Sequence, residues 1–152
     1  MASVAADVMA SDFTFVDCDV TVAEAEEYFE TGQLGGLPVL NPDRTVFGVL
    51  TPQNLVAFHR RDTSNARAVR AWEICDARPL VAKPGTPIDE IAEAVLLTSG
   101  RHVLVVNEER QLVGLITSDM LVRHYALVTD NITTIEQAAA NPVLNGSNRR
   151  PS

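Results

Sequence analysis

Apolar and polar positions follow a plan that this chain writes twice. Gly48-Val49-Leu50-Thr51-Pro52-Gln53-Asn54-Leu55 is a short apolar run that ends in threonine and turns into a polar helix start. Gly114-Leu115-Ile116-Thr117-Ser118-Asp119-Met120-Leu121 repeats that grammar 66 residues later. The same offset lays Asp7-Val8-Met9 over Glu73-Ile74-Cys75, Glu24 over Glu90 and Glu27 over Glu93. It also lays Val39-Leu40-Asn41 over Val105-Val106-Asn107, Arg44 over Arg110, and Leu55-Val56 over Leu121-Val122. Matches that fall on turns, strand ends and helix starts mark a duplicated structural unit rather than scattered chance identity.

Within the first copy, residues 5–10 read as a short lead-in helix and Phe13 to Val16 as an extended run. Thr21 and Glu24 have capping-box spacing, and Val22, Ala25 and Phe29 recur on one helical face. Glu26, Glu27 and Glu30 fall off that face, as a solvated surface. Leu37 to Leu40 and Val46 to Leu50 flank the turn residues Asn41-Pro42-Asp43-Arg44, which predicts an antiparallel hairpin. Thr51-Pro52 then opens a helix with Leu55, Val56 and Phe58 inward, since threonine suits the cap and proline the first helical position. A polar connector with Arg60, Arg61, Arg67 and Arg70 follows, and its end is expected to anchor the second copy by burying Trp72.

The second copy reads alike. Leu80-Val81 is a strand, and Thr86-Pro87 starts a helix with Asp89 three residues after the threonine. Ile88, Ile91, Ala92, Val95 and Leu96 form the buried face of that helix. Val103 to Val106 and Leu112 to Ile116 make the hairpin, and a helix runs from Thr117 to about Leu127. This gives a first repeat over 4–60, a connector over 61–70, a second repeat over 71–127 and an extension over 128–152, with a short helix at Ile132 to Ala140 and then a polar, disordered tail.

Composition narrows the function. The 152 residues carry a net charge of −8, which disfavours nucleic acid and anionic membranes as partners while leaving room for a local phosphate pocket. No apolar run approaches the ~18 residues of a membrane span, and no basic-then-apolar leader opens the chain. Cys18 and Cys75 lack metal-ligand spacing and read as reduced, half-buried thiols of a cytoplasmic protein. No nucleophile, base and orienter set and no glycine-rich phosphate loop is present, so catalysis is not expected and no metal site is assigned.

A β-α-β-β-α unit used twice, with Asp7-Val8-Met9 in front, Gly36-Leu37-Pro38-Val39 in the middle and a Gly-apolar-apolar-Thr step onto its last helix, resembles the CBS (cystathionine-β-synthase) domain. The resemblance covers roughly residues 4–127 and implies an α/β (α+β) fold with two repeats packed about a pseudo-twofold axis. It also implies two clefts between the repeats, a homodimer, and a regulator of a partner protein that binds an adenine nucleotide (AMP, ADP or ATP) rather than an enzyme. The family's threonine is followed three residues later by an aspartate, the hydroxyl meeting phosphate and the carboxylate the ribose diol. This chain keeps Thr51 and Thr117 but has Asn54 and Met120 at the aspartate positions, with Asp119 one residue early, about 100° around the helix.

The candidate ligand-binding residues are therefore Thr51, Asn54, Arg101, His102, Thr117 and Asp119. Arg101-His102 precede the second repeat's central strand, and an arginine is the natural phosphate partner in an acidic chain. The plainer readings stand beside these: Thr51 and Thr117 as helix caps, Asp119 as a dipole complement, Arg101 as a solvated charge. His59 and His124 lie near helix ends and carry no catalytic assignment. The altered aspartate positions favour a second reading, a ligand-free structural dimerisation or interaction module.

Overall fold

The computed structural model describes residues 3–31, 35–61, 65–98 and 102–127. The elements in chain order are α1 (Ala5–Val8), β1 (Val16–Asp17), α2 (Val22–Thr31), β2 (Leu37–Leu40), β3 (Val46–Leu50) and α3 (Pro52–Arg61). They continue as α4 (Ala71–Ile74), β4 (Leu80–Ala82), α5 (Ile88–Leu97), β5 (Val103–Val106) and β6 (Leu112–Ile116), then α6 over 118–127. The chain divides into two compact units, Met1–Ser118 and Asp119–Ser152. All but the last helix lie in the first. The helix and tail expected beyond residue 127 lie outside the described residues, as do residues 62–64 of the connector and Arg101.

Each repeat folds into a three-stranded sheet, ordered β1-β2-β3 and β4-β5-β6. β1 runs parallel to β2, with Val16 opposite Val39, because a helix-long crossover separates them. β2 and β3 form the expected antiparallel hairpin, Leu37 opposite Leu50, as do β5 and β6, Val103 opposite Ile116. All four residues of β2 and of β5 are buried. Continuous apolar runs such as Leu37-Pro38-Val39-Leu40 are what a strand covered on both faces requires. Leu40, Leu104 and Leu112 form a cluster with Phe13, Phe15 and Leu115, joining the two sheets.

The 66-residue offset survives in the backbone. Both hairpin turns place an arginine at positive φ, 76° at Arg44 and 66° at Arg110. Both sheets carry a register irregularity at the matching point, Val39/Leu40 and Val105/Val106. The turns meet in a two-fold exchange, Val46 N–H donating to Arg110 C=O and Leu112 N–H to Arg44 C=O, each at 3.3 Å.

The lead-in segments are exchanged between repeats. Ala5 N–H donates to Thr86 C=O (2.8 Å), Ile88 N–H to Ser3 C=O (3.0 Å), and Ala10 pairs with Leu115. Reciprocally, Ala71 N–H donates to Val20 C=O (2.8 Å) and Asp76 pairs with Val49. Ala5 and Ala71 are each 0% exposed. Gly48 and Gly114 admit this crossing. A Cβ at Gly48 would come within 3.0 Å of the Asp76 carbonyl, and one at Gly114 within 3.0 Å of the Met9 thioether.

Several sequence expectations change. The extended run at Phe13 to Val16 contracts to β1 at Val16–Asp17. Trp72 is 46% exposed, standing edge-on to Phe47 at 6.4 Å, and the neighbouring Ala71 is the buried anchor. Leu96 is 81% exposed and Val56 61%. Thr86 accepts from Lys83 N–H at 3.0 Å instead of capping α5, which starts behind Pro87. The Thr21–Glu24 box does form, at 2.9 and 3.1 Å. Glu26 is paired with His59 of α3. Among the described residues no polar or charged side chain is fully buried.

Candidate ligand-binding site

The hairpin register builds this site. Leu37 opposite Leu50 puts Gly36 beside the point where β3 passes into α3 at Thr51. Thr51 caps the helix, and Pro52 takes the first helical position, where its missing N–H costs nothing. The cap is reciprocal. Asn54 N–H donates to Thr51 Oγ1 at 3.2 Å, and Asn54 Oδ1 accepts from Thr51 N–H at 2.8 Å and from Thr51 Oγ1–H at 3.0 Å. Both side chains are half-buried.

The second repeat reaches this end of the hairpin from two directions. The ring of half-buried His102, just before β5, lies against Gly35 and Gly36: a Cβ at Gly35 would sit 2.6 Å from its Nε2. Only an absent side chain leaves room for that ring. Val49, whose Cγ2 also borders Gly36, carries the Asp76 ladder of the second lead-in. Asp76 Oδ1 accepts from Arg78 N–H at 2.9 Å. The Cys75 thiol is pushed up to about 11 by burial, with Asp76 adding in the same sense, so it stays protonated here.

The structure thus brings Thr51, Asn54 and His102 to one end of the first repeat's hairpin. Arg101 lies outside the described residues. Thr117 is half-buried at the matching end of β6, and Asp119 is exposed at the start of the second compact unit. Sequence reasoning did not single out Gly35, the Gly48 crossing or the Glu26–His59 pair. For Gly35 the signal was the glycine pair Gly35-Gly36, whose purpose only the facing ring reveals. An open depression on α2, lined by Val20, Glu24, Glu27, Tyr28 and Thr31, shares no residue with this site, and its two carboxylates do not suit a phosphate. Among the described residues no three His, Cys, Asp or Glu side chains cluster as a metal site. No described helix is long and apolar enough to cross a membrane.

Comparison with known proteins matches this architecture. The chain is 28% identical over 111 residues to inosine-5'-monophosphate dehydrogenase of Methanocaldococcus jannaschii, a match taking in 73% of this chain and 21% of that protein. It spans 34% of a second relative from the same organism. The chain therefore covers between about a fifth and a third of these two proteins' length. Hypoxic response protein 1 of Mycobacterium tuberculosis is 26% identical over 120 residues, 79% of this chain and 83% of that one. The crystal structure of CBSX2 in complex with AMP superimposes with a TM-score of 0.73 at 23% identity, covering 84% of this chain and 98% of the other. The CBS domain model matches residues 4–60 and again 71–127, and the chain belongs to the CBS domain family, as a tandem pair.

Proposed function

We propose that this CBS pair is a regulatory sensor that takes an adenine nucleotide of the AMP, ADP or ATP type at the Thr51 end of the first hairpin and modulates a partner protein. Thr51, Asn54, Arg101 and His102 contribute to that site, and Thr117 and Asp119 to its counterpart in the second repeat. The repeats over 4–60 and 71–127 are its two halves, joined by the connector over 61–70, and the working form is a cytoplasmic homodimer without catalytic activity. The observation that carries this reading is His102 of one repeat meeting Gly35-Gly36 of the other beside the start of α3. Family membership supports it, as does the AMP complex of the similarly folded CBSX2. The start of α3 offers backbone N–H groups and a dipole that favour an anion. A ligand that prefers one arrangement of the two repeats transmits its presence as a population shift.

A second reading is a ligand-free dimerisation or interaction module. The reciprocal Thr51–Asn54 cap favours it, because the Thr51 hydroxyl and the Asn54 amide oxygen are already engaged with each other. Thermal unfolding against AMP, ADP and ATP separates the two. A ligand at ~100 times its dissociation constant adds about 2.7 kcal/mol, several degrees in Tm. The expected result is a shift with one nucleotide that His102→Ala reduces. No shift with any of them gives the lead to the second reading.

A further inference from the structure

Two exposed helix faces of this chain complement each other. On α3 the outward stripe is Val56-Ala57 and, one turn on, Arg60-Arg61. On α5 it is Glu90 and Glu93, then Leu96-Leu97. α3 has no acidic residue and α5 no basic one. The helix dipole accounts for charges of these signs at these ends. It does not account for Leu96 and Leu97, 81% and 79% exposed, where the first repeat has Glu30 and Thr31 at the 66-residue offset. Nor does it account for the exposed Val56.

The stripes run in opposite senses, apolar then basic on α3 and acidic then apolar on α5, so they match when the helices lie antiparallel. The midpoint of Val56-Ala57 lies about 5 Å along the helix axis from Arg60, and Glu93 lies about 5 Å from the midpoint of Leu96-Leu97. Arg60 therefore meets Glu93 in the register where Val56-Ala57 meets Leu96-Leu97. One protomer cannot close this contact on itself. Leu55 and Phe58 seat α3 on the first sheet, and Ile88, Ile91 and Val95 turn α5 inward beside β4. The sheets meet between the two helices through Leu40, Leu104 and Leu112.

Resting on the homodimer reading above, and not on the nucleotide, we infer that two copies of this chain associate head to tail, the α3 face of each on the α5 face of the other. Two-fold symmetry makes the contact twice. Burial of the leucines supplies affinity. The charges set the pairing, because like on like would bring two acidic α5 stripes or two basic α3 ends together.

The test is sedimentation equilibrium of the full chain at low salt, for the natural protein, Arg60→Glu, Glu93→Arg, the double reversal and Leu97→Ser. Far-UV circular dichroism checks that each variant keeps its helices. Each single reversal is expected to weaken the dimer about tenfold, since it acts in both contacts, and the double reversal to restore it to within about threefold. Leu97→Ser is expected to weaken it as well. A dimer that tolerates both reversals, or a double reversal no tighter than the singles, overturns the head-to-tail surface and leaves the homodimer reading standing. A natural protein that is monomeric at every loading concentration removes both, while the nucleotide reading is untouched.

Discussion

Cys75 shows how one residue's chemistry is set by a neighbouring repeat. Its thiol sits against Gly48 of the first repeat and donates to Trp72 C=O at 3.8 Å. Burial, and then Asp76, raise its pKa from 9.0 to about 11. Cys18 is raised as well, by burial first and then by Asp19. A raised thiol pKa means that the folded state prefers the proton. The corresponding stability is fully present below pH 9.0 and is lost as pH climbs from there through about 11. Reactivity follows the thiolate. At pH 8 iodoacetamide should alkylate Cys75 more than tenfold more slowly in the folded protein than in urea, read by mass spectrometry of the Cys75 peptide. Equal rates in the two states would contradict the burial described here. Sequence alone gave both cysteines as half-buried thiols but held no hint that the crossing of a second lead-in makes Cys75 the more shielded of the two.

At the scale of elements, the return strands β3 and β6 are equivalent in sequence and unequal in what crosses them. Gly48 faces the Asp76 carbonyl and the Cys75 sulfur, whereas Gly114 faces the flexible Met9 side chain. Backbone cannot step aside as a thioether can. Gly48→Ala should therefore cost about 1–3 kcal/mol by overpacking, and Gly114→Ala distinctly less, measured by urea unfolding of both variants. Equal costs would mean that the crossings are equally tight. The hairpins themselves were legible because Asn41-Pro42-Asp43-Arg44 and the apolar runs on either side of it are local signals. The boundaries of the short elements were not. β1 pairs through only Val16 and Asp17, set by β2 and not by local propensity. α5 was misread at its start because Thr86 has a nearer donor in Lys83 N–H. The apolar face of α5 was overcounted for a related reason: Leu96 fits the helical period, but nothing in the period says where the neighbouring layer ends.

At the scale of the molecule, the exchanged lead-ins tie the fate of each repeat to the other. Residues 3–10 pair with the second repeat, and residues 66–76 with the first. Ala5→Leu overfills a fully buried position of the first lead-in, at a cost of about 1–3 kcal/mol. Amide exchange should then rise at Ile88 and Leu115, which donate to Ser3 and Ala10, and not only within residues 3–10. Exchange confined to residues 3–10 would show that the repeats unfold independently. By itself, the sequence determined the duplication, the hairpins, the helix caps at Thr21 and Thr51 and the family, because each is written in local spacing or in its repetition at a constant offset. Only the tertiary structure decided which lead-in lies on which repeat and that His102 faces Gly35-Gly36. Those outcomes depend on contacts between residues far apart in the chain, and no periodicity or propensity encodes which distant surfaces will meet.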